Sequence, residues 1–584
     1  MTHLRYTLLA LTAVLTLGAC SKSEETASSA PAAGDIDLLS YVPADTPYVA
    51  ANLDVIPEDV LDSYLAKAQP VLDALQKQLS QAKADMESSG SDGGSDPATD
   101  VAHALLSELD GKLNRAGMES MGFDLRAHKV IYGHGAFPVI RLGLSDTELL
   151  RATILRVMEN AEVTAPEQEF NGVPYWRVSD DDPNEVPMGM YIAILEDHLA
   201  ISLWPLAVEP ERLPTFLGLE KPADSNARER LTKLNRTHDY TAYGSGILDT
   251  HRFIDEVVQA ATMLEAEMNS QDNLGHATLS PTCISEIHEI ADNAPVMTMG
   301  VQELTANAVA VQYRVETPDT LAGQLMALVS EIPVANALSD RALEFALGLK
   351  FGPLRDFLLE KATAIVTQPY ECEHLADLNL NASNAQQKLT QAMPPFLNNF
   401  RGIRVSLNEF SPGLHSAPEE ATGLMALHVE QPQMLVGMAQ MFIPDLSELA
   451  ITPGDPPVLL PQSMMPAPGI SAYAAMSSTA IGIALGEGEE ETLPSYLKED
   501  AGPEGMFLSA SYDMSAYLDY TEILAESMKA GYDVQIEDHS GRSEDTDEIR
   551  QAAADAFREI ADRNTSTVSF RKDGLVIENR VTFK

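Results

Sequence analysis

The sequence predicts an α+β protein made of two similar halves, each with mixed or antiparallel sheets and helices packed beside them. Strand-like and helix-like segments alternate irregularly along the 584 residues, and several adjacent strands are separated only by short turns, which join antiparallel strands. Similar segments recur in one order in the two halves. The hydrophobic content of 45% and the charged content of 21% are typical of a chain that folds around a core.

The first half is expected over residues 35–317. A short strand at 48–53 leads to a helix that begins at Pro57, because proline and acidic residues suit the free amides of a first turn. Leucines at helical spacing between Leu61 and Leu79 give this helix one apolar face. The segments that follow are a second helix at 101–116, a sheet-rich region at 129–203 with one helix at 147–160, further helices, and a hairpin at 296–315.

The second half is expected over residues 367–584, after a helical connector at 318–366 with Leu321, Leu325 and Leu328 on one face. A repeat unit of this length is domain-sized and differs from a solenoid module, so we expect a tandem duplication. The matching segments are 191–203 with 473–485, 211–217 with 491–497, Leu248-Asp249 with Tyr512-Asp513, 289–292 with 559–562, and Asn52-Leu53 with Asn379-Leu380.

The chain is strongly acidic, with 38 Lys and Arg against 87 Asp and Glu and a formal net charge of −49. Proteins bind nucleic-acid backbones and anionic lipids mainly through Lys and Arg, so this charge argues against both as partners. The acid excess is interpreted as solubilising surface charge.

The N-terminus has the pattern of a secretion signal. Arg5 precedes an apolar run from Leu8 to Leu17 of about ten residues, which is too short to span a bilayer. The run ends in Leu17-Gly18-Ala19-Cys20, which is leucine, two small residues and cysteine. This pattern resembles the signal of bacterial lipoproteins, in which the signal peptide, here residues 1–19, is removed and the new N-terminal cysteine, here Cys20, is acylated.

The lipoprotein resemblance implies a membrane anchor made of acyl chains. Residues 20–34 are small, polar and Pro-containing, which predicts a flexible tether between the lipid and the first domain. In enterobacterial lipoproteins an Asp after the acylated cysteine retains the protein in the inner membrane. Ser21 at this position therefore implies export to the outer membrane, with the protein facing the periplasm.

A second resemblance concerns the mature chain. The segment Tyr41-Val42-Pro43-Ala44-Asp45-Thr46-Pro47-Tyr48 is similar to the Pro-Ala-Asp-Thr opening of an uncharacterised family of bacterial envelope proteins. The turn at Ser145-Asp146, between a strand and a helix, is similar to that family as well. This resemblance assigns no activity, ligand or cofactor.

Cysteine usage predicts one disulfide. If Cys20 is acylated, Cys283 and Cys372 remain as an even pair in an oxidising compartment, where a bridge between them is expected. The alternative is two buried free thiols. A bridge that closes a loop of about 90 residues would contribute on the order of 4 kcal/mol to stability through chain entropy.

No sequence motif carries a recognisable reaction. Gly244-Ser245-Gly246 lacks the spacing of a nucleophile elbow, although Asp249 and His251 follow closely. Gly133-His134-Gly135 fits neither a phosphate-binding loop nor a dinucleotide fingerprint. The helix around His288 lacks the second histidine of a zinc-protease motif. The sequence therefore nominates no catalytic residue, no metal ligand and no cofactor.

A Pro-rich, nearly uncharged segment at 453–468 has an unusual apolar content for a loop. Apolar loop residues normally pack on something, so we expect either a loop folded over its own core or a surface for an apolar ligand or an envelope protein partner. Shortly before it, Met434, Met438 and Met441 recur at helical spacing, which predicts core packing, with a soft-metal site as the remote alternative. The candidate loop residues are Val458, Leu459, Leu460, Met464 and Met465.

Together these patterns predict a lipid-anchored cell-envelope protein with a binding or scaffold role. The alternative is a periplasmic hydrolase whose site has no recognisable motif, and such a site would form a polar cleft with perturbed titratable groups. A scaffold would instead present an exposed apolar patch.

Overall fold

The computed structural model describes residues 37–88, 104–105, 107–161, 167–179, 188–269, 279–333, 341–392, 394–411, 420–447, 449–465, 470–519, 521, 554–555 and 557–584. Cys20, the predicted signal peptide and the predicted tether lie outside these residues. The described chain contains both helices and antiparallel sheet, which confirms the α+β class. No helix in this part of the chain is long and apolar enough to cross a membrane.

The chain folds into two compact units. Unit 1 comprises residues up to 280, 295–313 and 542–560, and unit 2 comprises 281–294, 314–541 and 561–584. The units therefore differ from simple halves of the sequence, because the chain enters unit 2 at 281–294 before it completes unit 1.

Unit 1 is built on an antiparallel sheet in which the strands follow the order β5-β6-β7-β3-β2-β1-β8-β9. The short strand β4 pairs with β5, and β10 is hydrogen-bonded to β9. The strands are β1 (Tyr48–Ala51), β2 (Lys129–His134), β3 (Phe137–Gly143), β4 (Gln168–Phe170), β5 (Val173–Ser179), β6 (Met188–Ile194), β7 (His198–Pro205), β8 (Ser245–Asp249), β9 (Val296–Thr305) and β10 (Ala308–Glu316).

The helices of unit 1 begin and end at residues that satisfy their free backbone groups. Asp146 caps the third helix, because its carboxylate accepts hydrogen bonds from the amides of Glu148 and Leu149 at 2.9 and 3.0 Å. Asp239 ends the fifth in the left-handed region, with φ of 56°. The helices are α1 (Glu58–Ser88), α2 (Arg115–Ser120), α3 (Thr147–Asn160), α4 (Glu209–Phe216), α5 (Ala227–His238) and α6 (Thr250–Asn269).

Each face of the unit 1 sheet buries a separate cluster. On one face Val49 and Tyr132 are cross-strand neighbours, and they share a cluster with Phe216 of α4 and Leu231 of α5. Each large apolar side chain buried in this way contributes about 1.5–3 kcal/mol to folding. The cluster on the other face involves α3 and includes Leu142, Leu150, Trp176 and Leu199.

Unit 2 is built on antiparallel strands in the order β14-β15-β16-β13-β12-β11-β17-β18-β19. Its strands are β11 (Leu343–Leu347), β12 (Phe400–Ser411), β13 (Glu420–Val429), β14 (Val458–Leu459), β15 (Ala472–Met476), β16 (Ala480–Leu485), β17 (Met506–Asp513), β18 (Ala561–Arg571) and β19 (Gly574–Phe583). Its helices are α7 (Pro281–Ala291), α8 (Asp319–Ala327), α9 (Phe351–Thr367), α10 (Ala376–Leu389), α11 (Pro432–Phe442) and α12 (Glu489–Tyr496).

Two sequence expectations differ from the structure at the start of unit 2. The predicted connector 318–366 contains α8 and all of α9 except its last residue, but it also contains β11, a central strand paired to both β12 and β17. Asn379 and Leu380, expected to repeat the opening strand, lie in helix α10. A two-residue match was too short to fix the structure there, because tertiary context overrides local preference.

Candidate functional site

The predicted loop residues form part of the covering of unit 2. Val458 and Leu459 form β14 and pair with Ala474 and Tyr473 of β15. Leu460 is 9% exposed and lies in a buried cluster with Ala472 and Ala474 of β15, on which Met465 also packs. The loop thus folds over its own core, and Met464 is half-buried beside it. Leu459 is the exception, because 56% of it is exposed.

The end of helix α11 carries much larger apolar exposure. Met441 is 74% exposed and Phe442 is 82% exposed, and Ile443, the residue that follows the helix, is 38% exposed. Met434, two turns earlier on the same helix, is 38% exposed. The prediction of core packing for this methionine stripe is therefore wrong at Met434 and Met441. A helical stripe looks the same in sequence whether or not another element covers it.

The end of α11 is joined to the Pro-rich loop by hydrogen bonds and packing. The Gln440 amide donates to the carbonyl oxygens of Leu446 and Leu449 at 3.1 and 3.0 Å, which folds the chain back after the helix. Both leucines pack against the cluster of Leu460. The Ser463 hydroxyl donates to the Asp445 carboxylate at 2.5 Å. We call the exposed apolar side chains of this substructure the apolar patch: Met434, Met441, Phe442, Ile443 and Leu459.

The distribution of charged residues in the sequence marks the same region, although the prediction of the site did not use it. Residues 405–497 contain no Lys or Arg and eleven Asp or Glu. At the chain average of 38 Lys and Arg in 584 residues, these 93 residues would carry about six. We call this stretch the Lys/Arg-free run. It contains the whole apolar patch.

Buried basic groups elsewhere have structural partners. In unit 1 the Arg141 guanidinium is fully buried, donates to Tyr132 Oη at 3.2 Å and to the Phe216 carbonyl at 2.9 Å, and lies over the Tyr41 ring at 4.1 Å. Nη1 of Arg141 lies 2.9 Å from Nε2 of His198. Burial, followed by the Arg141 charge, lowers the pKa of His198 to about 4, so the neutral imidazole accepts this hydrogen bond.

Unit 2 contains a related arrangement. Arg404 on β12 is 5% exposed, donates to the Tyr496 carbonyl at 3.0 Å and to Glu499 at 2.5 Å, and lies 4.0 Å from the centre of the Tyr496 ring. Burial lowers the pKa of His428, on the neighbouring strand β13, to about 4. In both units the arginine joins the last carbonyl of a helix to the sheet. Its positive charge lies at the negative end of the helix dipole, where it stabilises the helix.

A polar row crosses the middle of the unit 2 sheet. Glu344 of β11 lies between Ser406 of β12 and Ser511 of β17, and one carboxylate oxygen accepts from the Ser406 hydroxyl at 3.2 Å. The other oxygen is buried with no hydrogen-bond partner among the described residues. Arg563 donates to Ser511 at 3.0 Å. The row therefore places serine hydroxyls and one carboxylate side by side in the middle of the sheet.

Ser245, which the sequence did not nominate as a nucleophile, is buried in the sheet of unit 1. Ser245 of β8 is 2% exposed, and its hydroxyl has no hydrogen-bond partner in the described part of the chain. Asp249 interacts instead with the amide and side chain of Arg252. Among the described residues no group of three or more His, Cys, Asp and Glu could hold a metal ion.

A disulfide joins Cys283 of α7 to Cys372, with Cα atoms 4.6 Å apart. Both residues are buried. Beside the bridge, the Glu286 carboxylate accepts hydrogen bonds from the amides of Glu371 and Cys372 at 2.8 and 2.9 Å. The bridge and the carboxylate together fasten α7 to the segment that precedes α10, which is a structural role within unit 2.

No known protein family, no curated protein and no solved structure matches this chain. The functional argument therefore depends on the apolar patch and its surroundings.

Proposed function

We propose that this protein is a non-catalytic binding or scaffold protein of the cell envelope, which holds a partner protein at the apolar patch of unit 2. The observation that carries the proposal is the exposure of two adjacent large apolar side chains, Met441 at 74% and Phe442 at 82%. Adjacent exposed apolar residues at one helix end are typical of interaction sites, whereas single exposed ones are common everywhere.

The energy available at the patch is sufficient for a binding hot spot. Complete burial of a Phe or Met side chain is worth about 1.5–3 kcal/mol, and 74% of Met441 and 82% of Phe442 remain to be buried, so the two together could supply about 2–5 kcal/mol in a complex. A few residues of this kind commonly dominate a protein–protein interface. Two features position the patch. The Gln440 side chain is hydrogen-bonded to the segment that follows α11, and this segment packs on the buried cluster around Leu460.

The proposal includes an anchor at Cys20, with acyl chains in the outer membrane and the folded units in the periplasm. The support is the Leu17-Gly18-Ala19-Cys20 motif followed by Ser21. Replacement of Cys20 by alanine is expected to abolish acylation and to release the protein from the membrane fraction. Unchanged metabolic labelling with palmitate and unchanged fractionation would reject the anchor.

We further propose that the two units arose by tandem duplication. The support is the strand order: β5-β6-β7-β3-β2-β1-β8-β9 in unit 1 corresponds in chain sequence, strand by strand, to β14-β15-β16-β13-β12-β11-β17-β18 in unit 2. Helices α4 and α12 follow the corresponding strands β7 and β16.

Partner binding can be tested in intact cells with a photo-reactive amino acid placed at position 442. The matched control carries the same amino acid at Thr492, which is exposed on α12 within the same Lys/Arg-free run. We expect a defined crosslinked adduct from position 442 and none from position 492. No adduct at 442, or the same adducts from both positions, would reject the apolar patch as the binding site.

A further inference from the structure

We propose that the surface which docks on the apolar patch is a basic protein surface, with apolar side chains flanked by Lys or Arg. This inference rests on the proposed function and names the chemistry of its partner. It follows from the charges around the patch and from the strand order of unit 2.

The described strands of the Lys/Arg-free run lie next to one another in unit 2. Strands β14, β15, β16 and β13 are consecutive neighbours in the sheet, and all four come from the run, as do α11 and α12. The next strand, β12, carries Arg401 and Arg404. Arg404 is buried, and Arg401 is paired with Glu430. Arg341, from outside the run, also reaches α12, where it pairs with Glu489 at 2.9 Å. These three arginines are therefore buried or paired.

Exposed carboxylates lie close in sequence to the patch. Asp445 follows Phe442 by three residues and is fixed by the Ser463 hydroxyl at 2.5 Å. Asp455 lies three residues before Val458 of the Pro-rich loop, and its carboxylate accepts a hydrogen bond from Thr452. The partners that the described residues give these two carboxylates are hydroxyl groups and not cations. Both carboxylates are therefore available to a cation brought by the partner.

This charge pattern favours one kind of binding partner. A basic protein surface would be attracted by the carboxylates while its apolar side chains cover Met441 and Phe442, and complementary charge favours the correct partner and a fast encounter. An anionic bilayer offers apolar interior but would be repelled by the same acids. A second copy of this chain would bring the same two carboxylates and the same strongly negative net charge, so like charges would oppose self-association through this patch.

Peptide binding to the full mature protein, purified in detergent, tests the inference. The probe is an 18-residue fluorescent amphipathic peptide of Leu and Lys, and its counterpart of Leu and Glu has the same apolar positions. Fluorescence anisotropy is expected to show binding of the Leu/Lys peptide only. Phe442→Ser combined with Met441→Ser is expected to raise Kd at least tenfold. Asp445→Asn combined with Asp455→Asn is expected to raise it about threefold to fivefold and to reduce its salt dependence.

A control separates the local charges from the net charge of the chain. Asp377→Asn combined with Glu504→Gln removes two exposed carboxylates outside the run and is expected to leave Kd unchanged. Any of three results would overturn the inference. The two neutralised pairs could change Kd equally, the Phe442 and Met441 changes could leave binding unaffected, or the Leu/Glu peptide could bind as well as the Leu/Lys peptide. Preferential binding to vesicles of anionic phospholipid would overturn it in favour of a membrane surface.

The two proposals can fail separately. If position 442 crosslinks to a partner in cells while the Leu/Lys peptide shows no dependence on the patch, the binding function stands and the basic character of the partner is wrong. If position 442 gives no adduct while the peptide responds to the patch variants as expected, the patch recognises basic apolar surfaces without holding a partner under the conditions of growth.

Discussion

Lowering the pH from 7 to 4.5 is expected to destabilise unit 1 through His198. The imidazole is fully buried at the start of β7, where Nε2 accepts from Arg141 at 2.9 Å and Nδ1 donates to Asp197 at 2.6 Å. Burial, followed by the neighbouring Arg141 charge, lowers its pKa from 6.5 to about 4. A protonated ring would lose the acceptor for Arg141 and would place two cations side by side.

The magnitude follows from the pKa difference between the folded and the unfolded chain. Because the folded-state pKa is the lower one, the unfolded chain binds the proton first as the pH falls. The contribution to stability is present above about pH 6.5 and decreases as the pH approaches 4. A difference of about 2.5 pKa units corresponds to about 3 kcal/mol in full, of which about 2 kcal/mol is lost between pH 7 and pH 4.5.

Tryptophan fluorescence isolates this effect, because the two tryptophans of the chain, Trp176 and Trp204, are both buried in unit 1. Urea unfolding is measured at both pH values for the parent and for His198→Gln, whose amide oxygen can accept from Arg141 and does not titrate. The variant is expected to lose about 2 kcal/mol less than the parent over this range. Equal losses in the two proteins would refute the assignment to His198.

Three further predictions concern stability. Replacing both members of the Cys283–Cys372 bridge by alanine is expected to lower the free energy of unfolding of unit 2 by about 4 kcal/mol, because the bridge spans 89 residues; an unchanged urea midpoint by circular dichroism would contradict this. Leu460→Ala is expected to cost about 2–4 kcal/mol because the side chain is buried, whereas Phe442→Ser is expected to leave the melting temperature unchanged; equal shifts in calorimetry would count against the patch. Gly300→Ala is expected to cost about 1–3 kcal/mol, measured by urea unfolding, because its Cβ would overlap the Tyr240 ring; a neutral result would show that the ring moves aside.

The sequence identified much of the secondary structure around the hairpins. The hairpin predicted at 191–203 is β6 and β7, and the hairpin matched to it at 473–485 is β15 and β16. These segments are readable because short turns and alternating apolar residues are local properties. Strand β11 lies in the predicted helical connector and was not predicted. Its five residues are too few for an alternating apolar pattern to be recognised between two helical segments.

The candidate site could be only partly predicted. The sequence identified the Pro-rich loop, and it also contained the Lys/Arg-free run, which is a property of composition alone. The exposure of the α11 end could not be predicted, because Met434 and Met441 have the helical spacing of a core face. Whether such a face is covered depends on elements that are distant in the chain.

By itself, the sequence determined the α+β class, the acidic charge, the two strongest hairpins and the cysteine pair available for a bridge. Only the tertiary structure decided that Leu460 is buried while Leu459 and Phe442 are exposed, and that Arg141 and Arg404 lie beneath helix ends. The physical reason is that the period of apolar residues and the charge composition of a segment depend only on residues that are neighbours in the chain. Burial and charge pairing are fixed by which strands become neighbours in the sheet.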